Sequence, residues 1–358
     1  MIILLSQDAG PSAVITELKG LGLQVEVLHL GDRTGLYARD PEGQIPADSI
    51  ARIPGVEQVM SMTPRAPLAL ATRESGGGRC ISIGPARFGG GFVSVIAGPC
   101  AIEDAAALES IARLVADAGA TVLRGGAFKV RTSPHSFQGG GLEALRELRA
   151  ASRAVGLPFF TELTDPRQVE QAAELVDGIQ IGARHMQNFP LLLEAGRTGK
   201  PILLKRHMAA DVEEWLLAAE YVLTTGNDQV ILCERGLKSG ESHVRYLLDV
   251  GVVPWLKQRI GLPVIVDPSH AAGDWRLVPA LARAAIAAGA DGLIVEVHPR
   301  PEATRSDALQ ALPPADFARL MEQVRVLAAM DGRQLATATT TAPRASETAG
   351  ARNTAVGT

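Results

Sequence analysis

The alternation of apolar and polar residues divides the chain into two parts that meet near Phe92. Residues 1–63 show short stretches of period two and two helical segments in the order βαββαβ, which is typical of a ferredoxin-like domain. Pro11 and Gly22 bound the first helix in the usual way, with proline near the start and glycine after the end. The predicted elements, in chain order, are Ile2–Leu5, Pro11–Leu21, Gln24–Leu30, Thr34–Arg39, Pro46–Ile53 and Val56–Met62.

From Phe92 to Met330, short apolar runs alternate with helical segments eight times. That number and length are typical of a (β/α)8 TIM barrel, an α/β fold. A doubly wound sheet is the alternative, but it calls for a glycine fingerprint after its first strand, where this chain has Gly98-Pro-Cys100. The eight predicted strands are Val93–Ala97, Thr121–Leu123, Pro158–Thr161, Gly178–Ile181, Pro201–Leu204, Val230–Leu232, Val264–Val266 and Leu293–Val295.

Two segments lack a sustained apolar pattern. Residues 64–91 are rich in glycine and proline, and their first half is predicted to be a linker. In their second half, Ile81–Ile83 and Ala86–Phe88 flank Gly84-Pro85, which predicts a hairpin that seals the floor of the barrel. Residues 331–358 are rich in Ala and Thr, carry no large apolar residue after Leu335, and are predicted to be a disordered tail.

Composition narrows the class of protein. The formal net charge is −4 and 46% of the residues are hydrophobic, so nucleic acid and anionic membranes are not expected partners. No run approaches the ~18 apolar residues that a membrane span needs. The three cysteines are widely spaced, which argues against a disulfide framework or a CxxC zinc site and favours a reducing cytoplasm.

In a (β/α)8 barrel, the residues at the carboxyl ends of the strands and in the loops after them face one mouth. The residues at such positions include four possible metal ligands, namely Cys100, His270, Glu296 and Asp307. Thiolate, imidazole and carboxylate donors together suit Mn, Fe, Co, Zn or Cu and are poor for Mg or Ca. The other two cysteines, Cys80 and Cys233, are interpreted as small buried apolar residues.

Basic side chains converge on the same predicted mouth. Each one alone would be explained as a surface charge or as the partner of one carboxylate. Together they would be left unbalanced, so an anionic ligand with two charged ends explains them better. They are Arg124, Lys129, Arg131, Arg184, Lys205, Arg206 and Arg235, with Glu162 and Asp267 at neighbouring strand ends.

Nine segments at these strand ends resemble 3-deoxy-D-arabino-heptulosonate 7-phosphate (DAHP) synthase, in its short microbial type I (beta subgroup) form with an N-terminal ferredoxin-like domain. With the element order of residues 1–63, the resemblance extends to about residue 328. The segments are Ala97-Gly-Pro-Cys-Ala-Ile-Glu103, Leu123-Arg-Gly-Gly-Ala-Phe-Lys129, Arg131-Thr-Ser-Pro134, Ile181-Gly-Ala-Arg184, Met186-Gln-Asn-Phe189, Leu203-Leu-Lys-Arg206, Cys233-Glu-Arg-Gly236, Val264-Ile-Val-Asp-Pro-Ser-His-Ala271 and Val295-Glu-Val-His-Pro299.

The resemblance implies a transferase that joins phosphoenolpyruvate (PEP) to erythrose 4-phosphate, giving DAHP and phosphate. This is the first step of the shikimate pathway towards the aromatic amino acids. It also implies a homo-oligomer, dimer or tetramer, and an N-terminal domain through which an aromatic amino acid inhibits the enzyme. A dimerisation or solubility module is the alternative for this domain. One divalent metal per subunit (Mn, Fe, Co or Zn) would be held by Cys100, His270, Glu296 and Asp307.

The resemblance also implies roles for the remaining residues of the mouth. The phosphate and carboxylate of PEP would be bound by Arg124, Arg184, Lys205 and Arg235. The aldose phosphate would be bound by Arg131 and Thr132, with Lys129 between the two substrates. Glu162 and Asp267 would orient water and the groups on the metal side. The expected catalytic residues are Lys129, Glu162, Asp267, Cys100 and His270.

Several loop residues depart from the family pattern. Val130 replaces a proline between Lys129 and Arg131, and further departures occur at His185, His207, Leu237–Gly240, Asp274-Trp275 and Ala308. By the resemblance, these residues lie in loops near the binding site of the aldehyde acceptor. A paralogue that uses another aldose phosphate in specialised metabolism and simple drift in loops both explain them.

Two other functional classes remain open at this stage. One is a barrel aldolase that forms a Schiff base, for which Lys205 is the obvious candidate. The other is a non-catalytic barrel that binds phosphate as a sensor. Borohydride would trap a Schiff base with substrate in the first class. The second class would release no phosphate from PEP with any aldose.

Overall fold

The computed structural model describes residues 1–6, 9–30, 33–40, 45–60, 66–74, 78–129, 133, 135–304 and 308–337. The chain forms two compact units, one comprising Met1–Leu70 and the other the residues from Ala71 onward. Within the described ranges, no helix has the length and the apolar character that crossing a membrane requires.

The first unit is a four-stranded antiparallel sheet with the order β2–β3–β1–β4. Ile3 and Leu36 from the sheet pack with Val14 and Leu18 from helix α1 in one buried cluster. The predicted ferredoxin-like order is confirmed, although the second helix is shorter than predicted. The elements are β1 (Ile2–Leu5), α1 (Pro11–Gly20), β2 (Gln24–Leu30), β3 (Arg33–Arg39), α2 (Ala47–Ile50) and β4 (Val56–Met60).

A helix and a hairpin precede the barrel. The predicted linker contains helix α3 (Pro67–Glu74), although no helix was predicted there. Leu and Ala residues after a proline at the first position favour helix, which accounts for the difference. Strands β5 (Ile81–Ile83) and β6 (Ala86–Phe88) then pair in antiparallel fashion as a hairpin.

The second unit is a closed ring of eight parallel strands. Each strand pairs with the next, and β14 pairs with β7, so the ring is complete. The prediction of a TIM barrel is confirmed, with every strand within two residues of its predicted bounds. The strands are β7 (Phe92–Gly98), β8 (Val122–Arg124), β9 (Phe159–Leu163), β10 (Gly178–Ile181), β11 (Ile202–Lys205), β12 (Val230–Glu234), β13 (Val264–Val266) and β14 (Gly292–Glu296).

Helices follow the strands around the ring. Most begin with a polar N-cap or a proline in the first turn, for example Asp104, which accepts a hydrogen bond from the Ala107 N–H. The helices are α4 (Ala105–Asp117), α5 (Gly141–Val155), α6 (Val169–Ala173), α7 (Phe189–Arg197), α8 (Val212–Leu223), α9 (Val252–Lys257), α10 (Pro268–Ala272), α11 (Val278–Ala287) and α12 (Pro314–Met330).

Apolar side chains fill the interior of the ring, and the hairpin closes its amino-terminal end. Phe88 reaches the first residue of β14, because a Cβ on Gly292 would lie 3.3 Å from its ring. The missing side chain of Gly178 leaves room for the Phe160 ring in the same way. We call this set the interior cluster; its members are Ile81, Ile83, Ala86, Phe88, Ile96, Val122, Phe160, Leu203, Ile231, Cys233, Ile265 and Ile294.

The expected environment of two cysteines is only half correct. Cys233 is buried in the interior cluster, as predicted, whereas Cys80 is exposed. The difference follows from the alternation of β5, in which Ile81 and Ile83 face inward and Ser82 faces outward. Cys80 precedes Ile81 and therefore shares the outward face of Ser82.

The tail prediction is wrong for its first residues. Gln334–Leu335 form strand β15, which pairs in parallel with Phe92 and Val93 at the start of β7. A strand of two residues shows no alternation that a sequence pattern could reveal. Residues 338–358 lie outside the described residues.

Candidate active site

A cavity of about 300 Å³ opens at the carboxyl ends of the barrel strands. Six residues that were predicted from their strand-end positions line it, and a second group that was not predicted completes the wall. The predicted group is Lys129, Glu162, Arg184, Lys205, Arg235 and His270. The second group includes Ser133, Ser136, Met208, Arg245 and Tyr246.

Cys100, His270 and Glu296 form a compact cluster of three different ligand types. One ligand atom from each lies within 4.8 Å of the others. Cys100 and Glu296 are buried and His270 is partly buried. A thiolate, an imidazole and a carboxylate at this separation can hold one transition-metal ion. Thus the structure brings together three of the four predicted ligands.

His270 is held by the carboxylate of Asp267 at the start of helix α10. Asp267 Oδ1 accepts a hydrogen bond from the backbone N–H of His270 (2.9 Å). Its other oxygen, Oδ2, lies 2.7 Å from the imidazole Nδ1 of His270. His270 Nε2 is therefore directed to the other side, 3.3 Å from Glu296 Oε1. A carboxylate behind a histidine in this way fixes the ring orientation that a metal ligand needs.

Asp267 also pairs with the ammonium group of Lys205. Burial alone would raise the pKa of Asp267, but His270 and Lys205 outweigh it and hold that pKa well below its usual range. Burial lowers the pKa of His270 despite the two carboxylates. The imidazole is therefore neutral near pH 7, which is the form that ligates metals.

Two cations, the buried Arg124 and the partly buried Lys129, complete the inner layer of the site. Arg124 Nη2 lies 3.3 Å from Glu296 Oε1. Lys129 Nζ donates to Cys100 Sγ (3.0 Å) and to the Cys100 carbonyl (3.2 Å). Burial lowers the pKa of Lys129, but Cys100, Glu162 and Glu296 together raise it above its ordinary value. Lys129 is therefore an ammonium group directed at the three-ligand cluster.

Glu162 stands on β9 and lines the same cavity. Its Oε2 accepts a hydrogen bond from Gln180 Nε2 (3.2 Å) on β10. Its Oε1 occupies the space that a side chain at Gly182 would need, because a Cβ there would lie 1.8 Å away. Glycine at 182 is therefore required for this position of the carboxylate. Next to it, burial lowers the pKa of His185.

The loop between β12 and α9 contributes a stacked aromatic ring that sequence reasoning missed. The Tyr246 ring lies 4.1 Å from the Arg235 guanidinium and 5.6 Å from that of Arg245. Gly236, with φ +94°, makes room for it, since a Cβ there would lie 2.6 Å from the Tyr246 Cβ. These contacts fix the Arg235 guanidinium at the cavity wall.

Arg206 does not line the cavity, but it contacts residues at both ends of the loop between β12 and α9. Its Nη1 contacts Glu234 Oε2 and Asp249 Oδ2, both at 3.1 Å. Glu234 in turn accepts a hydrogen bond from the Gly236 N–H (2.7 Å). Burial raises the pKa of Glu234, with Arg206 acting against that rise. The network therefore ties both ends of the loop to β12.

Three predicted site residues lie outside the described residues: Arg131, Thr132 and Asp307. They comprise both proposed contacts to the aldose phosphate and the fourth proposed metal ligand. Gln310, three residues after Asp307, is described and was not predicted. It donates to Glu296 Oε2 (2.9 Å) from a position that is 2% exposed. No apolar periodicity or strand-end position distinguishes it in the sequence.

Comparison with known proteins gives a consistent assignment. Residues 80–330 match the DAHP synthetase I family. Phospho-2-dehydro-3-deoxyheptonate aldolase of Thermotoga maritima is 42% identical over 298 residues, covering 83% of this chain and 88% of the relative. 2-Dehydro-3-deoxyphosphooctonate aldolase of Syntrophotalea carbinolica is 33% identical over 269 residues, covering 70% of this chain and 96% of the relative.

Solved structures agree with the sequence comparison. The crystal structure of phospho-2-dehydro-3-deoxyheptonate aldolase (DAHP synthase) from Thermotoga maritima matches with a TM-score of 0.84 and 38% identity, covering 93% of this chain and 98% of that one. A truncated form of 3-deoxy-D-arabino-heptulosonate 7-phosphate synthase from Thermotoga maritima matches with a TM-score of 0.69 and 41% identity, over 74% of this chain and 97% of that one. The chain therefore belongs to the DAHP synthetase I family and is an enzyme, a transferase that forms a carbon–carbon bond.

Proposed function

We propose that the chain condenses PEP with erythrose 4-phosphate and water to give DAHP and phosphate, in a reaction that depends on a divalent metal. The observation that carries this proposal is the meeting of a three-ligand cluster and a set of cations in one cavity. The cations suit the phosphate and carboxylate of PEP. The cluster suits a metal beside them. Family membership supports the same reaction.

The donor set supports a transition metal, Mn, Fe, Co or Zn, held by Cys100, His270 and Glu296, with Asp307 proposed from the resemblance. Orientation of His270 by Asp267 fits that role. A metal bound there would supply Lewis-acid polarisation of the aldehyde, which a weak carbon nucleophile such as carbon 3 of PEP requires.

For PEP we propose the basic side chains Arg124, Arg184, Lys205 and Arg235. Guanidinium groups grip carboxylate and phosphate oxygens with two parallel hydrogen bonds, which fixes the substrate for attack. The stacking of Arg235 on Tyr246 supports this role, because a pre-positioned side chain loses less entropy when PEP binds.

For the chemistry of the new bond we propose Lys129 as the proton donor to the aldehyde oxygen. Its ammonium group lies beside Cys100, so it would face both the metal and the carbonyl of the acceptor. Glu162, which lines the same cavity, is proposed to orient the water that adds to carbon 2 of PEP before phosphate leaves. Arg131 and Thr132 are proposed to bind the phosphate of the aldose.

A Schiff-base mechanism is less well supported. Lys205 is buried and paired with Asp267. An ammonium group held by a carboxylate has no free lone pair for attack on a carbonyl. Borohydride should therefore fail to trap a PEP or aldose adduct at Lys205.

The test is phosphate release from PEP in the presence of erythrose 4-phosphate, arabinose 5-phosphate or ribose 5-phosphate. The protein is first stripped with a chelator and then assayed with and without Mn²⁺. We expect release to require the metal and to be fastest with erythrose 4-phosphate. Faster release with arabinose 5-phosphate would make that sugar phosphate the acceptor in place of erythrose 4-phosphate. If no aldose gave metal-dependent phosphate release, the proposal would be wrong.

The resemblance also carries predictions about the whole protein. We propose that residues 1–63 regulate residues 92–330 in response to an aromatic amino acid, and that the protein is a cytoplasmic homo-oligomer, a dimer or tetramer. Assays with phenylalanine, tyrosine and tryptophan would test the first part. Light scattering after size exclusion would test the oligomeric state.

A further inference from the structure

Gln310 connects a proposed metal ligand to the rim of the cavity. Its Nε2 donates to Glu296 Oε2 (2.9 Å), and its Oε1 accepts from Arg245 Nη1 (2.8 Å). The side chain is 2% exposed, so both ends of the amide are engaged away from bulk water. Burial of an amide is tolerated only when its groups are paired in this way.

The Arg245 contact determines which end of the amide faces Glu296. A guanidinium can only donate hydrogen bonds, so it selects the amide oxygen of Gln310 as its partner. The NH2 group must then point to the carboxylate of Glu296, which can only accept. A reversed amide would place two acceptors face to face. Arg245 therefore keeps Gln310 in the orientation that holds Glu296.

The Gln310 bond also determines which oxygen of Glu296 faces the cluster. Oε2 is taken by Gln310, whereas Oε1 lies 3.3 Å from His270 Nε2. A carboxylate with one oxygen fixed by a donor presents the other oxygen in a defined direction. This arrangement would favour a metal bound through one oxygen of Glu296 together with Cys100 and His270.

The backbone keeps Gln310 at this place. It ends a short 3-10 helix, Ala308–Gln310, in which the Leu309 carbonyl accepts a hydrogen bond from the Trp275 N–H (2.8 Å). Two residues further on, the Leu312 N–H donates to the Glu296 carbonyl (2.8 Å). The main chain on either side of Gln310 is therefore held in place, which limits how far its side chain can move away from Glu296.

We propose that Gln310 is a positioning residue that orients Glu296 for metal binding, and that Arg245 holds Gln310 in its active orientation. This inference rests on the proposed function, because it assigns a role towards the metal. Loss of such an outer partner commonly costs about 10–100-fold in metal affinity. Since Arg245 also lines the cavity beside Tyr246, the Gln310 amide links the loop between β12 and α9 to Glu296.

The test measures metal binding directly, without substrate. Gln310→Met keeps the length of the side chain and removes both hydrogen bonds. The matched control is Gln323→Met, because Gln323 Oε1 accepts from Arg283 Nη1 (2.8 Å) in a similar Arg–Gln pair between α11 and α12. Dissociation constants for Mn²⁺ and Co²⁺ are obtained by equilibrium dialysis, and the Co²⁺–thiolate absorption reports on the Cys100 bond.

We expect Gln310→Met to raise the dissociation constant about 10–100-fold and Gln323→Met to leave it unchanged. The thermal midpoints of the two metal-free variants should be similar, which separates orientation from general stability. Arg245→Met, at a more exposed position, should raise the constant by a smaller factor. It provides a second measurement if Gln310→Met does not fold.

The outcomes separate this inference from the proposed function. Wild-type protein that binds neither ion would overturn the metal site, and the role of Gln310 with it. Tight binding by the wild type together with unchanged binding by Gln310→Met or, where that variant does not fold, by Arg245→Met would overturn the positioning role alone. Equal weakening by Gln323→Met would show a general loss of stability and would count against it in the same way.

Discussion

Strand β13 contributes Ile265 to the interior of the barrel and is followed directly by Asp267 at the mouth. Strand β14 likewise supplies Ile294 to the interior and Glu296 to the site. The interior side chains touch many neighbours of similar chemistry, whereas each mouth side chain has a small number of specific partners. In each case the interior residue and the mouth residue are two positions apart in the chain.

The difference shows what each end of the barrel requires from its residues. Apolar contacts are non-directional, so the interior depends on volume and tolerates exchange among residues of similar size. A buried charge depends on a particular partner at a particular distance, and removing that partner is costly. In this fold stability is concentrated in the interior and chemistry at the mouth.

The largest effect is expected from Cys100→Ala. Lewis-acid polarisation is worth several kcal/mol, and each ~1.4 kcal/mol is a factor of ten in rate, so turnover should fall on the order of 1,000-fold. The thermal midpoint of the metal-free protein should change little. Steady-state phosphate release and calorimetry measure the two quantities.

Cys233→Ala is the matched control for this variant. Cys233 is also a buried thiol, and burial raises its pKa, but it packs in the interior cluster. It should keep its turnover number and lose some stability. Equal loss of turnover in both variants would contradict the division between mouth and interior.

An effect of comparable size, on stability and not on turnover, is expected from Arg206→Met, which removes a partner of buried Glu234. The cost at neutral pH should be about 3–5 kcal/mol of unfolding free energy. Without Arg206 the pKa of Glu234 rises further above its unfolded value, so the variant loses stability as pH increases through that range. Urea unfolding at pH 5 and pH 8 should show a smaller deficit at pH 5, whereas a deficit independent of pH would exclude Glu234 as its cause.

The smallest effect is expected from Ile265→Val in the interior cluster. Deletion of one buried methyl group of this kind costs about 0.5–1.5 kcal/mol. The turnover number should stay at the wild-type value, because Asp267 is held by its own partners. A reduced turnover number with an unchanged unfolding free energy would reverse the expected pattern.

Much of the framework follows from the sequence for a physical reason. A parallel strand that is buried on both faces reads as an uninterrupted apolar run, so the eight strands can be placed from such runs. Charged and metal-ligating residues that follow those runs then lie at the carboxyl end of the barrel, which places Cys100, His270 and Glu296 together. Their separation could not be obtained in this way, because it depends on the register between strands.

The supporting residues were missed because they come from loops. Arg245, Tyr246 and Gln310 follow no period, and each acquires its role from a contact with a distant segment. The outward position of Cys80 was missed for a different reason, since its parity is set by the two-residue alternation of a very short strand. Local sequence pattern determines where a helix or strand lies, whereas tertiary contacts determine the roles of the loop residues around it.

Strand β15 has a consequence beyond its two residues. β7 begins before its pairing with β8, and Gln334–Leu335 occupy that projecting segment, where the Gly91 and Val93 carbonyls accept hydrogen bonds from the Gln334 and Ala336 N–H groups. An uncovered strand margin of this kind is a template on which another chain can add a strand. β15 therefore covers backbone groups to which another chain could otherwise add a strand, beside the part of β7 that extends past β8.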